Sequence, residues 1–493
     1  MMKKSKFLGI FLSVFAFIPN AFAIGEEAKI GDALYATFEE AVVAVDSEDD
    51  IIVLQEDVDL ASTWIINSGK SYTVDLNGHT ISRNTNIINI DGGSLVLTGT
   101  GVVKENTPDN AGIKLLGSDD ITDTDYSYLK IGKNVTVEAW APVFISIKKV
   151  GGVYQTHAYG VKVDIEGTLK AHHDLSDAEG SAIYINGTIQ DLVNYPVINV
   201  ADGAVLDAAG AGIYQAGYSS VTVGKATING VGAGIAVKAG KLELNGTKVK
   251  ATGASNDPDS YNDGVNCVGA AIQIESSLGY AGNMNIKING GTYESVNNSA
   301  IVEYLAEASS THEASTETEV ESIEITAGDF VAPEGKDVIK ASENFKEENT
   351  EFISGGTFSS DVEEFLQEGL ETVVDEETGE AVVVKRHSIN LGTITNGTVK
   401  VDKENAIAGE IVTIEAAADK DYTLQNIEVV DANGNKVEVK DGKFVMPDSE
   451  ISVKITFIEV KSPETSDINL LLVSSVLIVS IVGLVFTLKK KHN

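Results

Sequence analysis

The sequence predicts an all-β chain: a right-handed parallel β-helix, then a small all-β module, then one C-terminal apolar helix. Three observations predict it. Short β-rich runs recur, each ending at a glycine turn. A second apolar phrase recurs between them in the same order. Near the end, 21 uncharged residues precede three lysines.

Composition supports strands joined by tight turns. The 493 residues include 47 glycines and only 8 prolines, with many Val, Ile and Thr. At 43% hydrophobic the chain can bury a large core and form several domains. Acidic residues number 73 against 36 basic ones, a formal charge of −37. That charge repels nucleic acid and anionic lipid surfaces and solvates the exterior. The single cysteine, Cys267, excludes an intrachain disulfide; in "DGVNCVGAAIQIE" it reads as a small buried hydrophobe.

In chain order, residues 1–23 read as an export signal. Lys3, Lys4 and Lys6 precede an apolar core, and Ala21 and Ala23 place small residues at −3 and −1 for signal peptidase cleavage. Residues 24–50 hold a short amphipathic helix: Phe38, Ala41, Val42 and Val45 fall at helical spacing. Such a helix caps the open end of a strand stack, which would otherwise pair with other chains.

The β-helix spans 51–386. Its first phrase reads "VDLNG" at Val74–Gly78, "VDIEG" at Val163–Gly167, "ATING" at Ala226–Gly230 and "LELNG" at Leu242–Gly246. It returns as "IKINGG" from Ile286, "IEITAG" from Ile323 and "EFISGG" from Glu351. The second phrase reads "GSAIYI", "GAGIYQ", "GAGIAV", "GAAIQI", "NSAIVEY" and "KDVIKA", and its tightest step, Ile213 to Ile235, is 22 residues. A period of this size marks a solenoid whose coils bury their apolar faces only by stacking. Polar inserts such as "SNDPDSYNDG" and "EASSTHEASTETEVE" are expected between the same two phrases. Val362, Phe365 and Leu366 predict a short amphipathic turn at the far end, followed by a hairpin tipped by Thr378-Gly379. From 387 to 459 the alternation becomes strict, with hairpin turns expected at Asn396-Gly397 and Asn433-Gly434.

Residues 460–493 have three parts. Ser462-Pro463-Glu464-Thr465-Ser466 is followed by the apolar run 468–488 and the basic tail 489–493. At about 1.5 Å per residue the run covers a bilayer core of about 30 Å. The lysines set the tail inside.

Three resemblances add to this reading. Residues from about 30 to 385, carried by "LNGHTI" and "SGGTFSSDVEEFLQEGLETV", resemble pectin-lyase-like β-helix surface proteins of Gram-positive bacteria of the Firmicute group. The stretch 387–459 resembles the internalin B-repeat, through Gly397-Thr398-Val399, Ala408-Gly409-Glu410, Tyr422, Phe444 and Met446-Pro447. It departs at Asp421, where the family usually carries glycine. "SPETS" resembles the LPxTG signal of sortase substrates, with Ser462 for leucine and Ser466 for glycine. That resemblance implies attack by sortase at the Thr465 carbonyl and transfer to an amine of peptidoglycan.

The residues argue less for chemistry. Lyases on this fold need a poised Arg or Lys beside an acidic calcium site, and the coils hold one arginine, Arg83, in "NGHTISRN"; Arg386 lies at the boundary beyond them. Asp49-Asp50 and Asp119-Asp120 read as surface charge. His172-His173-Asp174 alternates sides on an extended chain and does not share a metal easily. "NDPDSYNDG" begins like a calcium loop through Asp257 and Asp259, but Val268 stands where a bidentate Glu closes such loops. A calcium ion held loosely there is the one cofactor the sequence raises. No catalytic residue, cofactor or metal site is assigned. The expectation is an exported, wall-anchored surface protein that acts as an adhesin for a glycan or host protein. A polysaccharide-cleaving enzyme and a structural spacer are the alternatives. Tyr126, Tyr128, Trp140, Tyr154 and Tyr159 are the aromatic candidates for stacking on sugar.

Overall fold

The computed structural model describes residues 26–107, 109–117, 127–150, 153–154, 160–172, 180–255, 267–280, 282–308 and 313–461. The chain divides into two compact units, Met1–Lys385 and Arg386–Asn493. Both are built almost wholly of strands.

In the first unit the strands pair in parallel along three rows. Each strand pairs not with its sequence neighbour but with the strand at the same place in the next repeat. The first row runs through Ser71–Asp75, Ser94–Thr98 and Ser127–Ile131 to Gly240–Leu244. The second runs through Thr80–Arg83, Thr100–Glu105 and Asn134–Ala139 to Thr247–Ala251. The third forms a separate ten-stranded sheet from Trp64–Asn67 to Ile339–Lys340.

Register is set by the inward side chains. In the third row Ile88, Ile113, Val143, Ile183, Ile213, Ile235, Ile272, Ile301 and Ile339 lie opposite one another in succession. All nine are buried. A one-residue slip would turn every one of them to the outer face. Branched residues suit this role because they pack well on a pleated surface. Each full burial contributes about 1.5–3 kcal/mol. In the second row the inward position becomes aromatic at the end of the stack. Tyr293 lies on Phe330 at 4.8 Å and Phe330 on Phe358 at 4.9 Å, with planes 16° and 5° apart. A Cβ at Gly328 would sit 3.1 Å from the Phe330 ring, and one at Gly356 would sit 3.2 Å from that of Phe358. Both glycines also have positive φ, so the aromatic stack requires them.

Both ends are closed. At the start the helix Phe38–Ala44 is capped by the Thr37 hydroxyl, which accepts from the Glu40 N–H at 3.2 Å. It buries Phe38 and Ala41, and Phe38 meets Trp64 edge-on at 5.1 Å. The sequence did not reveal Ala28–Ile30, which pairs antiparallel with Ile51–Leu54 and occupies its free edge. At the far end a second helix, Glu343–Glu348, is capped by Ser342. Glu303 accepts from the Ser342 N–H and hydroxyl at 2.9 and 2.7 Å. The turn at Glu363–Phe365 buries Val362 and Phe365, and the hairpin Leu370–Val374 with Ala381–Lys385 has Gly379 in its connection, as expected.

Three expectations are corrected. "ATING" is not a copy of the first phrase: Thr227–Gly230 belongs to the second row, between Val205–Ala208 and Thr247–Ala251. "IKINGGTYES" and its successor do not stop at their glycines. Met284–Ser295 and Val320–Val331 run through them with register shifts, so that single strands serve both rows. The inserts leave from two corners. One lies between the second-row strand Thr247–Ala251 and the third-row strand Ile272–Ser276; the other follows the third-row strand Ile301–Leu305.

The second unit has its own core around Ala406, Val412, Val429, Phe444, Met446 and Val453. Ile411–Ala418 pairs antiparallel with Gly397–Val401 and with Lys443–Val445. Tyr422–Asp431 pairs antiparallel with Ile451–Glu459. Asn433-Gly434 makes the expected hairpin with Lys436–Val437. Asn396-Gly397 does not: Gly397 opens a strand paired with Ala418. Its glycine is needed because a Cβ would fall 2.5 Å from the Phe457 ring. Asp421 has φ +69°, the left-handed region that glycine enters without strain.

The apolar run 468–488, the sorting residues Ser462–Ser466, the leader with Ala21 and Ala23, and Asp257 and Asp259 lie outside the described residues. Among the described residues no helix is long and apolar enough to cross a membrane.

Two substitutions test this packing. Ile235→Ala should destabilise the first unit by about 2–5 kcal/mol in denaturant unfolding. Asp421→Gly should stabilise the second unit by up to about 1 kcal/mol, read as a rise in its thermal midpoint.

Candidate functional site

The outer face of the third sheet carries the chain's concentrated aromatic and ionic chemistry. Because side chains alternate, the residues following the inward isoleucines point outward. They stand in register as Asn89, Lys114, Phe144, Tyr184, Tyr214, Ala236 and Gln273.

Over the earlier coils this face is half-exposed. Phe144 stacks on Tyr184 at 5.0 Å with planes 13° apart, and Tyr184 meets Tyr214 at 4.7 Å. Trp140 leans on Phe144 and Tyr184 at 6.2 and 5.4 Å. The Lys114 ammonium lies 5.3 Å from the Phe144 ring centre, within cation–π range. Burial holds the Lys114 amine below its ordinary pKa. Lys148 pairs with Asp91 at 2.8 Å.

Over the later coils the face is sealed. Lys238 and Glu275 form an ion pair at 2.9 Å with side chains 0% and 2% exposed. Tyr304 donates its hydroxyl to the other Glu275 oxygen at 2.7 Å. Gln273 donates to the Tyr304 oxygen at 2.9 Å and accepts from the Val268 N–H at 3.1 Å. The Tyr214 and Tyr280 rings lie 5.4 and 5.0 Å from the ammonium. Tyr280 closes over the pair by crossing Gly187, where a Cβ would fall 2.3 Å from its ring. Burial and the Glu275 charge push the Tyr304 hydroxyl well above its usual pKa. Sealed in this way, the pair has no water-facing atom with which to reach a substrate, and its role is to hold neighbouring coils together.

The residues singled out from sequence scatter. Tyr128 lies on the first row and donates to Asp164 at 2.8 Å; burial, first, and the Asp164 carboxylate push its hydroxyl up to about 12. Trp140 belongs to the aromatic row. Tyr126 and Tyr159 fall outside the described residues; Tyr154 lies in the short strand Val153–Tyr154. His172 is exposed beside Lys170 and Asp207, while His173 and Asp174 lie outside the described residues. Arg83 ends a strand, and its guanidinium donates to the Leu60 carbonyl in the preceding coil at 2.7 Å. Arg386 reaches Glu410 at 3.6 Å. Asp50 accepts from the Asp46 and Ser47 N–H groups, which holds its carboxyl below the usual range. Cys267 is buried over Gly232, and burial pushes its thiol up to about 12, far from a reactive thiolate. Among the described residues no group of three or more His, Cys, Asp and Glu is placed to hold a metal ion.

The sequence reading missed Lys238, Glu275 and Tyr304. One signal was present. In "AVKAG" and "IQIES" a charge follows an apolar strand without the usual turn residue.

On the second row the outward residues Glu138, Lys170, Asp207, Asn229, Lys250 and Glu294 follow in register. They pair along the stack: Lys170 with Glu138 at 3.2 Å, Asn229 with Asp207 at 2.6 Å and Lys250 with Glu294 at 2.7 Å. These exposed pairs contribute little each and leave this face satisfied.

Residues 387–461 match the model of the divergent InlB B-repeat domain. This domain is found in bacterial surface proteins and points to such a protein here. No curated protein and no solved structure matches the chain.

Removing one member of the sealed pair leaves the other charge buried. Lys238→Met should therefore destabilise the first unit by about 3–5 kcal/mol, and adding Glu275→Leu should restore most of the loss. Urea unfolding of the two variants checks this.

Proposed function

We propose that this chain is an exported surface protein of a Gram-positive bacterium that displays a right-handed parallel β-helix outward for binding. The observation that carries the reading is the match of residues 387–461 to the divergent InlB B-repeat domain, directly after the stacked parallel strands. The three in-register rows support the β-helix. Each returns the chain to the same place one repeat later, which a hairpin-connected sandwich does not do.

The ends of the sequence support the placement. The leader directs export, and cleavage after Ala23 releases the mature chain from it. The run 468–488 holds the chain in the membrane until sortase cuts after Thr465 and joins that residue to peptidoglycan. The InlB-like module, which in sequence lies between the strand repeats and the sorting residues, then serves as a spacer. Binding is favoured over catalysis because the buried Lys238–Glu275 pair is closed to substrate and the outward charges of the second row are paired with one another. The ligand class is a glycan or a host protein.

Two measurements test this. In mass spectrometry of wall digests, the mature protein should end at Thr465 with wall fragments attached; peptides beyond Lys489 in mature protein would contradict anchoring. The purified ectodomain should be retained on a glycan or matrix array without releasing reducing or unsaturated sugar ends. Sugar release would make it an enzyme.

A further inference from the structure

Ile389, Ile451 and Val453 share one apolar core. They set the strand that opens the second unit beside the strand that closes its described part. Ile389 lies opposite Ile451, Asn390 opposite Ser452 and Leu391 opposite Val453, and the pairing is parallel. Gly392 extends it by donating its N–H to the Val453 carbonyl at 3.0 Å. Neither strand lies at a sheet edge here. On its other side the opening strand pairs antiparallel with Asn405–Ile407, and the closing strand pairs antiparallel with Tyr422–Asp431. The buried His387 adds a further tie: its Nε2 lies 2.9 Å from the Asp448 carboxylate, just ahead of the closing strand.

Parallel pairing decides what a pull on the two ends does. The chain enters ahead of Ile389 and continues beyond Glu459 toward the sorting residues. Because the two strands run the same way, tension at these ends draws them in opposite directions along their common axis. The ladder bonds and the apolar contacts between them then take the load together. A one-residue slip would turn Ile389 away from the core, so a small displacement already meets the barrier. Tension at one end of an antiparallel pair acts differently. Tyr422 and Glu459 stand opposite one another at such an end, and a pull there opens the ladder one pair at a time. Forced unfolding follows the unfolding rate and not the equilibrium stability, so the two directions differ in strength although the fold is the same.

We propose that the second unit is a load-bearing link, in which Ile389–Gly392 and Ile451–Val453 form a shear clamp. A chain anchored beyond Glu459 that holds a ligand through its first unit is pulled along this path. The proposal rests on the display and anchoring reading above and gives the spacer a mechanical task.

The test stretches the exported chain in optical tweezers through thiol-linked DNA handles. The buried Cys267 does not take a handle in the folded chain. Arg386, Lys420 and Lys461 are exposed. Arg386→Cys with Lys461→Cys loads the clamp in shear, and Lys420→Cys with Lys461→Cys peels the antiparallel pair from its end. At one loading rate the first geometry should need a several-fold higher force to unfold the second unit. Gly392→Pro, which deletes the donor to Val453, should lower the shear force and leave the peeling force nearly unchanged. Ile389→Val, a smaller change that keeps the fold, should act in the same selective way. Equal forces in the two geometries would overturn the proposal. So would an equal fall of both forces in the two variants, or a shear force that neither variant changes. Peptides beyond Lys489 in mature protein would contradict wall anchoring and leave this force ratio as it is, so the two readings fail separately.

Discussion

Everything in the first unit depends on like side chains stacking in register from coil to coil. The inward line from Ile88 to Ile339 places branched aliphatic residues opposite one another across nine strands. No strand of a row could bury its own inward residues alone. Each gains its core from the strands paired with it on either side and from the other rows. The same condition explains why both ends need covers. The last coils lack one neighbour, and Phe38 at one end and Phe345, Phe352 and Phe365 at the other supply the missing apolar surface.

The constraint also shapes the outer faces. Once inward positions are fixed, the alternate positions are fixed too, and they stack with the same spacing. Where they are charged, they form lines of ion pairs such as Lys170 with Glu138. Where they are aromatic, the rings stack on one another. The third sheet thus acquires two different regions from one geometry. A sealed stretch at Lys238 and Glu275 ties neighbouring strands together, and a half-exposed stretch runs through Lys114, Phe144 and Tyr184. The difference between them is the cover: Tyr280 closes over the first by way of Gly187, while Lys114 remains half-exposed.

Much of the fold was legible because stacking imposes repetition on the sequence. The phrases "AIYI", "GIYQ", "GIAV" and "AIQI" all fell on the third row in the order read. The amphipathic helix was legible through Phe38 and Ala41, which face the core at helical spacing. "ATING" misled because the first and second rows have the same local chemistry, a β run before Asn-Gly, and only pairing distinguishes them. Asn396-Gly397 misled for a related reason. Its glycine answers the Phe457 ring across the unit, a contact that local turn rules cannot contain. The candidate site was hardly legible at all. Trp140 was singled out, but the stacking of Phe144, Tyr184 and Tyr214 beside it is a property of register and not of spacing along the chain. Asp421 stands where the internalin B-repeat usually carries glycine, and the structure supplies the reason for that glycine, a backbone in the left-handed region.

The most direct measurement of register is a pair of cysteines on the outer face of the first row. Asn199 and Thr222 are opposite one another on adjacent parallel strands, and adjacent strands lie about 4.8 Å apart, within the span a disulfide bridges. Glu243 lies opposite Thr222 on the next strand, at about twice that distance from Asn199. The buried Cys267 does not compete in the folded chain. In-register stacking predicts that N199C/T222C oxidises to an intrachain disulfide under native conditions and that N199C/E243C does not. Crosslinking of the second pair, or failure of the first in a folded protein, would contradict it.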